Sequence, residues 1–159
     1  MRRNLVALGV CTLLAAISVL AAGASPLDVL VILPPRHSMA EELLPLLEHL
    51  EQAGADVDVA AYETGLYLFT EDSVVGGDVN DLPDLYEFEI TVTYDSVQAS
   101  DYDAIIMGPG YAHTFWVNEG LETVNLLLDD AVATHKILGG VSYGAVFLIG
   151  SGLIDGRSA

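Results

Sequence analysis

The sequence has almost no sulfur chemistry to offer. Its one cysteine, Cys11, lies inside an apolar N-terminal stretch. The rest of the chain therefore has no disulfide, no thiol nucleophile and no cysteine metal site. Basic side chains are nearly as scarce: five Lys and Arg stand against 23 Asp and Glu, for a net charge of −18. A surface of that sign repels nucleic acid and anionic lipid, which excludes both as partners. No His, Asp or Glu spacing matches a metal site, and no phosphate-binding glycine loop follows the first apolar strand, so neither metal nor cofactor is expected. With 159 residues there is room for one domain with a real core.

The first residues stand apart from that core. Met1-Arg2-Arg3-Asn4 is a basic head, residues 5–22 are apolar apart from Thr12 and Ser18, and Ala22-Gly23-Ala24 supplies small residues before Ser25-Pro26. That order is a secretory signal peptide over residues 1–24, with an export-bound domain over 25–159. The alternative is an uncleaved anchor, since about 18 apolar residues just span a bilayer. Membrane association is expected only in that case. Cleavage would remove Arg2 and Arg3 and no carboxylate, taking the net charge from −18 to −20. Such an acidic surface suits high salt, where counter-ions screen the repulsion.

The remainder alternates short apolar runs with amphipathic segments. Residues 27–33 (LDVLVIL), 56–61 (DVDVAA), 102–107 (YDAIIM) and 136–141 (KILGGV) read as strands. Residues 39–52, capped by Ser38, and 118–134 read as helices with one leucine-rich face, and 145–149 as a short apolar helix. Residues 62–100 are less regular, with one alternating strand over 87–94 (EFEITVTY). Apolar strands separated by helices imply a flavodoxin-like α/β fold, a parallel sheet with helices on both faces. Ligands in such sheets sit beyond the carboxyl ends of the strands. The loop after the first strand, Gly108-Pro109-Gly110 and the turn at Ser142 all fall there.

Gly140-Val141-Ser142-Tyr143-Gly144 fits G-x-S-x-G between a strand and a helix. The glycines allow a tight turn that projects the serine from the sheet, with helix amides facing it. The competing reading makes Ser142 a helix cap. A nucleophilic hydroxyl needs a base. Only Asp155 follows Ser142 with an ionisable acid or imidazole, so a base must come from upstream: Glu41 at the start of the first helix, or His113 in the loop after Gly110. His37 is a weaker choice, and His49 and His135 are set aside by position. Backbone N–H groups at Gly110 or Tyr111, together with that of Tyr143, can serve a developing oxyanion.

These residues resemble the ThiJ/PfpI family, within the class I glutamine amidotransferase-like fold. The matching stretches are residues 27–33, Glu41 with Pro45 four residues on, residues 101–106 running into Gly108-Pro109-Gly110, and residues 136–157 with Ser142-Tyr143-Gly144 and Gly152-Leu153-Ile154-Asp155-Gly156-Arg157. Residues 62–90 align poorly. In that family the elbow carries Cys-His-Gly, a first-helix glutamate contacts the cysteine, and a Pro-Gly-Gly loop offers an oxyanion N–H. The resemblance places the glutamate on Glu41, the oxyanion glycine on Gly110 and the nucleophile on Ser142, with Tyr143 where histidine is common. Glyoxalase-like, deglycase-like, peptidase-like and peroxide-sensing activities rest on the thiol and do not transfer to a serine, whose hydroxyl ionises far less readily. A serine elbow also resembles the peptidase E and cyanophycinase branch, where a downstream histidine is the base.

Family members continue after Gly-Arg with further strands and a closing helix, which implies a chain truncated at its C-terminus or completed by a partner. Three functions stay open. The first is a domain without thiol chemistry that binds a small molecule or partner at the Glu41/Gly110/Ser142 edge. The second is a serine hydrolase or amidase using Ser142, and the third a non-catalytic homodimer.

Overall fold

The computed structural model describes residues 25–35, 38–70, 85–90, 92–110 and 121–156. Strand β1 (Asp28–Ile32) buries every residue after Asp28. Its alternate side chains enter two different cores: Leu30 and Ile32 one, Val29 and Val31 the other. That is why the run reads as continuously apolar, since a strand covered on both faces has no wet side. β1 pairs in parallel with β2 (Asp56–Ala61) and with β6 (Ala104–Met107), in registers such as Val31↔Val59 and Val31↔Ile106. β7 (Ile137–Gly140) adds beyond β6, and the two-residue β5 (Val92–Thr93) beyond β2, giving the order β5-β2-β1-β6-β7. The expected parallel α/β sheet is what the chain forms.

Helix α1 (Ala40–Gln52) covers one face through Ala40, Leu43 and Leu47, packed with Val29, Val31, Val59 and Ala61. Helices α2 (Leu121–Ala133) and α3 (Tyr143–Gly150) cover the other through Val124, Leu127, Leu128, Phe147 and Leu148, against Leu30, Ile32, Ile105 and Met107. Each such Val, Leu, Ile, Met or Phe side chain taken from water contributes about 1.5–3 kcal/mol. Ser38 does not cap α1. The N-cap is Met39, without a side-chain bond, and the Ser38 hydroxyl is buried with no partner among the described residues.

The irregular middle holds more strand than the sequence suggested. β3 (Gly65–Thr70) and β4 (Leu85–Ile90) form a separate antiparallel pair, from Gly65↔Ile90 to Thr70↔Leu85. The single strand expected over residues 87–94 is corrected: β4 ends at Ile90, and Val92–Thr93 joins the main sheet beside Ala60 and Ala61. Tyr94 then opens a 3₁₀ turn, locked by reciprocal bonds between Thr93 and Ser96. Its buried hydroxyl donates to the carbonyl of Leu33, 61 residues away, where β1 gives way to Pro34-Pro35. Alternation predicts extended chain, but which sheet a strand joins depends on such long-range contacts. The strand expected from Tyr102 starts at Ala104. The buried Tyr102 hydroxyl instead donates to Asp58 Oδ2 at 2.9 Å. Burial first, and then the bond to this carboxylate, push the Tyr102 phenol above its ordinary range.

Candidate functional site

The turn after β7 is built so that only glycine fits at positions 140 and 144, two residues either side of Ser142. The Val141 amide donates to the Met107 carbonyl at 3.0 Å, holding the end of β7 against β6. The chain then reverses, with Gly144 N–H on Val141 O at 2.9 Å and Ala145 N–H on Ser142 O at 3.2 Å. A Cβ on Gly140 would lie 2.6 Å from the Ala145 nitrogen. One on Gly144 would lie 2.2 Å from the Met107 oxygen and 2.7 Å from that of Gly108. Backbone atoms cannot yield to contacts of that length, so both glycines of the motif are steric requirements.

Between them, Ser142 takes φ 54° and ψ −124°, a conformation that glycine adopts freely and an L residue adopts only under constraint. Its side chain makes no capping bond to α3, and the residue is exposed. Ser142 thus stands at the N-cap position of α3 without its hydroxyl capping the helix. The other described non-glycine residue with positive φ, His135, lies in the turn before β7, at the opposite end of the strand.

The elbow rests directly on the loop after β6. The Gly108 amide donates to the Ile32 carbonyl at 2.8 Å, and a Cβ there would sit 3.0 Å from that oxygen and from Leu33 Cδ2. Gly108, Pro109 and Gly110 are buried, and Gly110 has φ 123°, open only to glycine. The carboxyl ends of β1, β6 and β7 thus meet, as the sequence placed them, with Ser142 on top. Glu41 is the second residue of α1, whose start follows the loop leaving β1; its side chain lies outside the described residues, as do His37, Tyr111 and His113. His49 is exposed on α1, its Nδ1 2.6 Å from the Pro45 carbonyl. Among the described residues no three His, Cys, Asp or Glu side chains gather as a metal would require. Sequence reasoning missed Tyr94, whose hydroxyl anchors the end of β1. No local signal marks it, because its partner is distant in the chain.

A family model for the DJ-1/PfpI family matches residues 28–159. The chain belongs to the DJ-1/PfpI family. Solved DJ-1/PfpI structures share its fold. A ThiJ/PfpI domain protein from Brachyspira murdochii superposes with a TM-score of 0.66 at 16% identity, over 84% of this chain and 69% of that one. A DJ-1 superfamily protein from Agrobacterium tumefaciens gives 0.58 at 15% identity, over 81% and 61%. DJ-1beta of Drosophila melanogaster gives 0.57 at 18%, over 80% and 61%. This DJ-1/PfpI chain thus spans less than two thirds of the length of the latter two. No curated protein matches it.

Proposed function

We propose that this DJ-1/PfpI chain is an exported domain that binds a small molecule or partner at the carboxyl edge of its sheet, around Ser142, without the thiol chemistry of its family. The observation that carries this reading is the strained backbone of Ser142. A conformation costing about 1–3 kcal/mol persists where surrounding structure enforces it, and such outliers concentrate at ligand and active sites. Here Gly140 and Gly144 enforce it, and the hydroxyl is not spent on capping the helix it precedes. The buried Ser38 Oγ and Glu42 Oε2, at the start of α1, have no partner among the described residues and add polar atoms whose burial is costly unless a water or ligand meets them. With Ser142 for cysteine, a ligand would be held by hydrogen bonds from the hydroxyl and from the amides of Gly110 and Tyr143, with Glu41 as the acidic residue that the family resemblance assigns to the site.

A second reading has its own support. An exposed serine on a G-x-S-x-G turn, ahead of a helix, has the geometry of a hydrolase nucleophile. It would use Glu41 or His113 as base. Intact mass after exposure to a fluorophosphonate, in high salt and with Ser142→Ala as control, separates the two. The binding reading expects no adduct on folded protein. One adduct, absent from Ser142→Ala, would establish an activated serine and replace it.

A further inference from the structure

The exit of β1 is held by a side chain from the far edge of the sheet. Leu33 is fully buried; its N–H donates to the Ala60 carbonyl at 2.9 Å, and its own carbonyl accepts the Tyr94 hydroxyl. Pro34 and Pro35 follow and carry no N–H, so their backbone cannot donate a bond to fix the chain as it leaves the sheet. Tyr94 is itself fixed. It is buried, and its ring lies 6.4 Å from that of Tyr62 at a tilt of 55°. The turn it opens is closed by the Thr93 amide on Ser96 Oγ at 3.1 Å and by that hydroxyl on the Thr93 carbonyl at 2.8 Å. Leu33 carries this order toward the elbow. Its Cδ2 lies 3.0 Å from where a Cβ on Gly108 would stand, and a Cβ on Gly144 would lie 2.7 Å from the Gly108 oxygen. Tyr94, Leu33, Gly108 and Gly144 are thus a continuous run of contacts reaching from β5 to the turn at Ser142, with β2, β1 and β6 between. A close-packed interior passes a displacement along such a run rather than absorbing it.

We propose that Tyr94 is a positioning residue for the site at Ser142, a role that rests on Ser142 being the centre of a site. By fixing Leu33 it sets the Gly108-Pro109-Gly110 loop, and with it the Gly110 amide, against the elbow. Phenylalanine at position 94 would fill the same space but leave the buried Leu33 carbonyl without the hydroxyl. The Leu33-Pro34 backbone would then turn toward another donor, and Leu33 and Gly108 would shift with it. Tyr102 offers a matched comparison. Its buried hydroxyl also reaches across the sheet, to Asp58 Oδ2 at 2.9 Å, but it does so from the amino end of β6, away from Ser142.

The test is iodoacetamide alkylation across pH of the full chain carrying Ser142→Cys, with Tyr94→Phe or Tyr102→Phe added and Cys11 separated by peptide mapping. Each addition removes one buried hydroxyl bond and should lower the Tm by about 3–10 °C. Only Tyr94→Phe should move the thiol. Its alkylation midpoint is expected to rise by about 0.5 pH unit or more, about threefold in thiolate fraction below the midpoint, because an amide that favours the thiolate is no longer held in place. Ser96→Ala unlocks the turn at an exposed residue and should shift the midpoint the same way by less, which keeps the test decisive if Tyr94→Phe does not fold. A lowered Tm with an unmoved thiol in Tyr94→Phe and Ser96→Ala would make Tyr94 a core residue alone and overturn the proposal. An equal shift from Tyr102→Phe would overturn it too, since any loosening of the core would then suffice. If Ser142→Cys alone titrates at about 8.5, the reading of Ser142 as a site fails first, and the role of Tyr94 goes with it.

Discussion

Gly144→Ala is expected to lose about 3 kcal/mol of stability or more, enough to unfold much of a domain whose total is about 5–15 kcal/mol. Two effects oppose each other at this position. Gly144 lies in the first turn of α3, where alanine is the better helix former by about 1 kcal/mol. Against that, the added methyl would sit 2.2 Å from the Met107 oxygen and 2.7 Å from the Gly108 oxygen. Both are backbone atoms of the strand end and loop on which the elbow rests, so relief requires α3 to lift away from β6. The clash wins. Urea denaturation should show it, with Gly156→Ala as the comparison. Gly156 has φ 73° but open space around it, so alanine there costs only the conformational penalty, about 1 kcal/mol. Equal losses at the two positions would mean that close packing is not what fixes glycine at 144.

Ser142→Gly is expected to raise stability by about 1 kcal/mol. The φ of 54° and ψ of −124° cost an L residue about 1–3 kcal/mol, and glycine removes that cost. Part of the gain, about 0.5–1 kcal/mol, is returned through the greater freedom of glycine in the unfolded chain. Ser142→Ala keeps the strained backbone and loses no capping bond, so it should remain within about 0.5 kcal/mol of the parent. The pair of variants separates the backbone from the hydroxyl. A residue retained where a simpler one would be more stable is retained for what its side chain does. If Ser142→Gly were no more stable than Ser142→Ala, the strain would not be a stored cost and this reason for placing a site at Ser142 would go.

Much of this was legible in the sequence because it is local. Residues 28–32 are apolar at every position after Asp28, and a fully covered parallel strand is what such a run forms. The G-x-S-x-G turn was visible because its glycines lie two residues either side of the serine they constrain. The sequence could mark Gly144 as part of a motif, but not that it abuts Met107 and Gly108, 36 residues or more upstream. Where partners are distant, the reading failed. β3 gave no signal apart from its hairpin partner, and the strand expected to run through Tyr94 was divided between two sheets by the pairing of Val92–Thr93 with β2. Ser38 looked like a cap by type and position, yet the chain enters α1 through Met39, leaving the Ser38 hydroxyl buried. At the site itself, strand ends and turn were predictable from topology. The direction of the Ser142 backbone, which decides between cap and elbow, was not, because a serine before a helix is compatible with both.

The most direct test of Ser142 as the centre of a site is to put a thiol there and measure how readily it ionises. Ser142→Cys would be alkylated with iodoacetamide across pH, with peptide mapping to separate position 142 from Cys11. A side chain held at the N-terminus of α3, beside backbone amides, should ionise well below the ordinary thiol value of about 8.5, with half-maximal alkylation at about pH 7 or lower. A profile centred at 8.5 or above would contradict the account, because the turn would then hold its side chain under strain without offering it an environment that stabilises negative charge.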